Sequence, residues 1–157
     1  MNGVKFSLLL LLTGGLLSGC SSKYDDGLVK QQVTGMVLVN GNPEKGIAVI
    51  FKHTDPGVTK NAARPVAITS EDGSFALSTN ADKDGAIAGT YQVSFHWPES
   101  ASSTRDFLDG KYIKSSSPEF NVVIGEQDMQ LPPFELKASP KSVAAAHKAL
   151  KQKRPLN

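Results

Sequence analysis

Apolar residues recur along this chain in two different patterns. The first is a continuous run from Phe6 to Leu12, resumed at Leu16-Leu17 after Thr13-Gly14-Gly15. The second begins at Gln31 and is an alternation in short stretches, the period that places successive side chains on opposite faces of a strand. Val33, Gly35, Val37 and Val39 share one face of the first stretch. Asn40-Gly41-Asn42-Pro43 follows, and Asn-Gly accepts the positive φ that tight hairpins need. Ile47, Val49, Phe51 and His53 share a face of the second stretch, and Pro65 to Thr69 form a third. Glu71-Asp72-Gly73 turns the chain into Ser74 to Thr79, with Phe75 and Leu77 in phase. The cleanest alternation sets Tyr91, Val93, Phe95 and Trp97 against Gln92, Ser94 and His96. Phe120, Val122 and Ile124 form a sixth run. Met129 to Leu136 forms a seventh, which Pro132-Pro133 confines to an edge or interrupts. These runs predict an all-β fold, a seven-stranded antiparallel β-sandwich with one solvated face per sheet.

The period changes near the C-terminus. Ser139-Pro140 is a helix start, with Ser as N-cap and Pro at the first helical position. Strong helix formers run from Val143 to Lys153 before Pro155 stops them. Val143, Ala146 and Leu150 make a thin apolar stripe, and about fifteen residues is marginal for a helix alone in water. A short basic C-terminal helix or a disordered tail is therefore expected over 138–157. Charge sharpens the division. Residues 139–157 hold Lys141, Lys148, Lys151, Lys153 and Arg154 and no acid, whereas residues 20–138 carry 11 basic and 15 acidic side chains. A mildly acidic body gives no support to nucleic-acid binding, so no nucleic-acid partner is expected. The basic tail suits anionic headgroups, lipopolysaccharide phosphates or an acidic partner.

The leading apolar run, preceded by Lys5, has the layout of a secretory signal, and it breaks too soon to cross about 30 Å of hydrocarbon. Leu17-Ser18-Gly19-Cys20 resembles the bacterial lipobox: a branched apolar residue, two small residues and the cysteine that takes lipid as a thiolate. Cys20 is the only cysteine among 157 residues, so no internal disulfide competes for it. The resemblance implies cleavage before Cys20, with Leu17, Ser18 and Gly19 as the peptidase recognition residues. It further implies diacylglycerol and an N-acyl chain on Cys20, which hold the protein on a membrane as one acyl chain alone would not. Ser21 and Ser22 follow, with no aspartate directly after the cysteine, a pattern similar to lipoproteins passed to the outer membrane. Residues 1–19 are thus a leader, 20–30 a polar tether spanning roughly 16–19 Å as a flexible coil, and 31–137 the sandwich.

Within the sandwich the motifs resemble a known family. Gly35-Met36-Val37 through Asn42-Pro43 to Gly46-Ile47-Ala48-Val49-Ile50-Phe51 is similar to the opening strand-turn-strand of carboxypeptidase-regulatory-like, or transthyretin-like, domains. Thr69-Ser70-Glu71-Asp72-Gly73-Ser74-Phe75 resembles their Asp-Gly hairpin, and Asp84-Gly85-Ala86 through Gly89-Thr90-Tyr91-Gln92-Val93 a later strand. Lys111-Tyr112, Ser116-Ser117-Pro118 and Phe134-Glu135-Leu136 match further elements. The likeness covers roughly residues 31–137 and is strongest to small lipoproteins abundant in planctomycete-type bacteria. These motifs set turns and core positions and bring no catalytic residue. The transthyretin-like enzymes that hydrolyse 5-hydroxyisourate end in a Tyr-Arg-Gly-Ser motif, which the terminal Lys153-Arg154-Pro155-Leu156-Asn157 lacks.

Few residues carry candidate chemistry. Asn80, Asp82 and Asp84, followed by Gly85, fit the first half of a calcium loop, but Tyr91 stands where the closing glutamate is required. The other reading is a loop whose Asn and Asp side chains cap its own backbone. His53 and His96 fall in opposite phases and have no motif partner, and the serines at 100–103 and 115–117 lack a nucleophile-elbow context. Residues 98–118 form a link of about twenty residues, long enough to be a binding loop or an edge cover. A turn of helix over Arg105 to Tyr112 would sit across one end of the sandwich. The expected function is a non-enzymatic envelope module contacting protein or glycan, without cofactor beyond the covalent lipid. The alternative is a small-ligand or calcium carrier using the 80–88 and 98–118 loops.

Overall fold

The computed structural model describes residues 27–58, 62–100, 103–113 and 120–152. The leader, Cys20 and residues 21–26 of the expected tether lie outside the described residues, as do 153–157. In chain order the strands are β1 Lys30–Gln31, β2 Val33–Val39, β3 Asn42–Pro43, β4 Ala48–His53, β5 Val66–Ile68, β6 Ser74–Ala76, β7 Ala86–Ile87, β8 Gly89–His96, β9 Phe120–Ile124, β10 Met129–Gln130 and β11 Phe134–Leu136; the helix α1 is Pro140–Gln152.

Two sheets face each other. One is four-stranded and antiparallel throughout, in the order β5-β4-β8-β9. The other is built around β2, and here the expectation of a wholly antiparallel, seven-stranded sandwich is corrected. On one side of β2 run β6 and β3, antiparallel; on the other run β10 and β11, both parallel to it. The backbone shows the split directly. The Gln32 and Thr34 carbonyls accept from Met129 and Leu131, while the Val33 carbonyl accepts from Leu77 on the opposite side. Parallel pairing is possible because β10 reaches β2 after a long excursion through the other sheet, where no hairpin dictates its direction. Pro132-Pro133 breaks the last run into two strands at the sheet edge, since proline offers no N–H to a ladder. A two-stranded ribbon, β1 with β7, closes the end where the fold begins: Lys30, the last residue of the expected tether, pairs with Ile87.

The alternation seen in the sequence is the division between core and surface. Val33, Val37, Val39, Val49, Phe51, Tyr91, Phe95, Trp97 and Leu136 are almost wholly buried between the sheets. Phe95 of β8 meets Phe134 of β11 with ring centroids 5.1 Å apart and Phe120 of β9 at 5.5 Å, in edge-to-face contacts. Gly35 is explained by this packing. It pairs with Phe75 across β2 and β6, and a Cβ at Gly35 would lie 2.5 Å from the Phe75 ring, which occupies that space.

The described residues of the long link and of the tail both contribute to the core. Residues 103–113 form successive turns rather than a helix, and Phe107, Leu108 and Tyr112 are buried. Phe95 donates its N–H to the Tyr112 carbonyl, so this segment covers the β8 edge beyond the point where β9 ends. The stripe on α1, expected to be too thin for burial, docks: Ala146 is fully buried, with Val143, Ala145 and Ala149 packed against the core. Alanine contributes little area but lets a helix backbone come close. Side-chain bonds then fix it, from Ser142 to Asp109 and from His147 to Glu44. The Ser139 hydroxyl caps the first turn as the sequence predicts, accepting from the Ser142 N–H at 3.1 Å.

The Gly35–Phe75 contact yields a test. Gly35→Ala should lower stability by about 1–3 kcal/mol through overpacking, read as a shift in urea midpoint with unchanged slope. An unchanged midpoint would contradict the contact.

Candidate functional site

Strands β5 and β6 form a hairpin that closes the sandwich along one side, and it is not paired along its length. Val66 and Ser78 exchange both backbone hydrogen bonds, and Ser70 donates to the Ser74 carbonyl near the turn. Ile68 and Ala76, which this register sets opposite each other, share no bridge, because β5 is drawn towards β4 and β6 towards β2. A groove of about 840 Å³ opens over this region, between the outer surfaces of the two sheets. Its apolar lining comes from Met36, Ile50, Val66, Ile68 and Ala76, and its polar lining from Thr34, Ser70, Ser74, Ser78, Asp82, Lys83 and Gln130. Ile68 is 71% exposed.

This groove was not anticipated from the sequence, although a signal was present. In Val66-Ala67-Ile68 the larger apolar residues occupy the outward phase and alanine the inward one, the reverse of a surface strand. Chemically the groove offers methyl groups and hydroxyls, one carboxylate and one ammonium. Several of these groups are already engaged: the Ser74 hydroxyl donates to Asp72 at 2.6 Å, and the Ser78 hydroxyl accepts from the Lys83 N–H at 2.8 Å. It can hold an extended or small amphipathic surface by contact, and its hydroxyl–carboxylate pair, Ser74 with Asp72, closes the turn, since the same Asp72 oxygen also accepts from the Ser74 N–H.

The structure gives Asp84 a task within its own loop. Its carboxylate accepts from the N–H of Thr79 at 2.6 Å and of Asn80 at 3.1 Å, and Lys30 approaches its Oδ2 to 3.4 Å. Burial pushes this carboxyl up, but the N–H groups of Thr79, Asn80 and Ala81, with Lys30, outweigh it and hold the group below the ordinary carboxylate range. Gly85 adopts φ +85°, and a Cβ there would lie 1.9 Å from the Gln31 carbonyl oxygen; the loop is thereby pressed against the start of the fold. Asp82 faces the groove. A calcium ion ligated by Asn80, Asp82 and Asp84 would have to displace the N–H donors and Lys30 from Asp84. No cluster of three or more His, Cys, Asp or Glu suited to a metal occurs among the described residues.

The two histidines are kept apart. His53 pairs with Tyr91 at one end of the β4–β8 ladder, and His96 pairs with Ala48 at the other. Five residues of strand separate them, about 17 Å. The His53 Nδ1 accepts from the Asp55 N–H at 3.0 Å, and its ring stands edge-on to Tyr91 at 4.8 Å. Tyr91 donates its hydroxyl to the Ile87 carbonyl at 3.0 Å, and burial pushes its phenol up to about 12. In the 98–118 link, Asp106 does the organising. It accepts from the N–H groups of Trp97 at 2.8 Å, Leu108 at 3.1 Å and Gly110 at 2.9 Å. The described part of the link, residues 103–113, covers the β8 edge through the Tyr112 carbonyl. Leu17, Ser18, Gly19 and Cys20 lie outside the described residues.

No family model matches this chain, and no curated protein does. Among solved structures, BcpA, the major pilin subunit of Bacillus cereus, is 18% identical with a TM-score of 0.45, over 71% of this chain and 31% of that one. The chain thus spans about a third of the pilin subunit's length. The dioxygenase domain of a dioxygenase carbohydrate-binding protein fusion from Streptomyces sp. SirexAA-E is 19% identical with a TM-score of 0.40, over 75% and 86% of the two chains. A Pseudomonas aeruginosa protein provisionally described as carbohydrate-binding is 17% identical with a TM-score of 0.39, over 70% and 89%. These likenesses carry no argument about activity or partner; the all-β sandwich rests on the sheets themselves.

The Asp84 arrangement predicts a pH dependence. A carboxylate whose pKa is depressed by folding contributes stability that is present above its unfolded value, near 4, and is lost as pH falls through the lower folded value. The urea midpoint of Asp84→Asn should therefore change less than that of the parent between about pH 5 and pH 3. Parallel profiles for the two proteins would contradict the assignment.

Proposed function

We propose that the protein is a lipid-anchored, non-enzymatic β-sandwich module of the bacterial cell envelope, held through Cys20 on the outer membrane in preference to the inner. Its open groove over β5 and β6 is the surface offered to a protein or glycan. The observation that carries the non-enzymatic part is the use made of the polar side chains. Asp84, Asp106 and His53 spend their hydrogen bonds on backbone N–H groups, and Glu44 is held by His147. The groove is lined mainly by methyl groups and hydroxyls, with Asp82, Lys83 and Gln130 at its polar side. Support for the anchor comes from Leu17-Ser18-Gly19-Cys20 and from the absence of any second cysteine. Two or more acyl chains, each methylene worth ~0.8 kcal/mol when buried, make such attachment stable. The carbohydrate-binding description of the Pseudomonas aeruginosa protein is compatible with a glycan partner and decides nothing by itself.

Metabolic labelling with palmitate tests the anchor. The parent chain should carry label and sediment with membranes, whereas Cys20→Ser should carry none and appear in the soluble fraction. A Cys20→Ser protein that was exported and still sedimented with membranes would overturn the proposal.

A further inference from the structure

Helix α1 buries one face and presents another of different character. Ala146 marks the buried side. At 3.6 residues per turn, Lys141, Lys148 and Lys151 fall within about 80° of each other on the side opposite Ala146, in a row about 15 Å long. All three are exposed, and none is ion-paired among the described residues. The helix contains no acidic residue. A helix face that serves only solubility commonly mixes signs; this one carries a single sign on a chain whose body is acidic.

Its position adds a second argument. The helix packs where β2 ends: Asn40 bonds the Ala138 carbonyl, His147 meets Glu44, Ser142 meets Asp109, and Leu150 lies beside Gly46. Lys30 and Gln31, where the fold begins, are at the other end of β2, about 23 Å away along its seven residues. Because α1 docks through its Ala146 side, its lysines point away from the sandwich at that far end. On the anchored reading, on which this orientation rests, they are the part of the domain remotest from the anchoring bilayer.

We infer that the lysine face of α1 is a docking surface for a linear anionic polysaccharide of the envelope, bearing its charges at regular spacing. A single-file row of ammonium groups matches a charged polymer lying along the helix. Lysines act as point charges, without the fork that selects one phosphate or carboxylate geometry. An acidic protein partner would need an apolar contact core, and the face provides only Ala144 between the lysines. On the anchored reading the tether enters at the opposite end of β2, which favours a polymer over the anchoring bilayer.

The test uses the lipidated chain in vesicles of neutral phosphatidylcholine, with fluorescent polygalacturonate as the probe. Flotation reports the anchoring separately, and a chain that did not float would be assayed in free solution, so the two ideas fail independently. Polymer binding should weaken with salt. Lys148→Gln with Lys151→Gln should reduce it on the order of 30-fold, and Lys52→Gln with Arg64→Gln, which removes the same charge from exposed positions of the body outside the groove, should change it less than about twofold. Equal losses in the two pairs would overturn the inference. So would binding that the helix pair lowers only for phosphatidylglycerol vesicles, which would place a membrane on this face instead.

Discussion

The structure depends on contact between two sheets that nothing covalent joins. With a single cysteine in the chain no disulfide can form within it, so the sheets are held by side chains that interdigitate, and Phe95 against Phe134 is the centre of that contact. Phe95 also touches Phe120 and Tyr112, so one ring of β8 meets residues from the edge strand, the long link and the last strand. Edge-to-face rings hold orientation as well as area, which aligned aliphatic chains do less well. Truncating a ring of this kind typically costs 3–5 kcal/mol, a large part of the stability of a domain this size.

Around that core, carboxylates act as scaffolding for the loops. Asp84, Asp106 and Asp72 each accept from N–H groups two to nine residues away, and so replace the ladder bonds that loops lack. Buried Thr69 does the same without charge, donating to the Glu44 carbonyl and accepting from the Ile47 N–H. Polar residues that look like chemistry in a sequence are here the means by which irregular backbone is kept satisfied. The Lys45 carbonyl, accepting from the Trp97 indole, belongs to the same group of contacts and lies under α1.

How much of this was legible in the sequence differs by element. Alternation told which residues of β2, β4 and β8 face inward, because a period of two is a property of the strand itself. It could not tell the direction of β10 and β11, since periodicity reports a face and never a neighbour. The docking of α1 was hidden for a related reason: Ala145, Ala146 and Ala149 add little to an apolar stripe, and the Glu44 that fixes His147 lies 103 residues earlier. The groove is hidden in the sequence because Val66 and Ile68 mark a strand equally well whether they face inward or outward. The helix cap at Ser139 and the turn at Asn40-Gly41 were readable in full, both being local; Asn40 and Gly41 adopt φ of 53° and 82°.

The parallel strands on β2 have a consequence in time. The first long strand of the fold keeps one edge open until Met129 to Leu136 arrive, some ninety-five residues after it. Closing so large a loop is slow, because its entropy must be lost before any contact repays it. A chain threaded through a membrane from its N-terminus would therefore emerge almost entirely before its first sheet could close. On the exported reading, that sheet would close only after the passage.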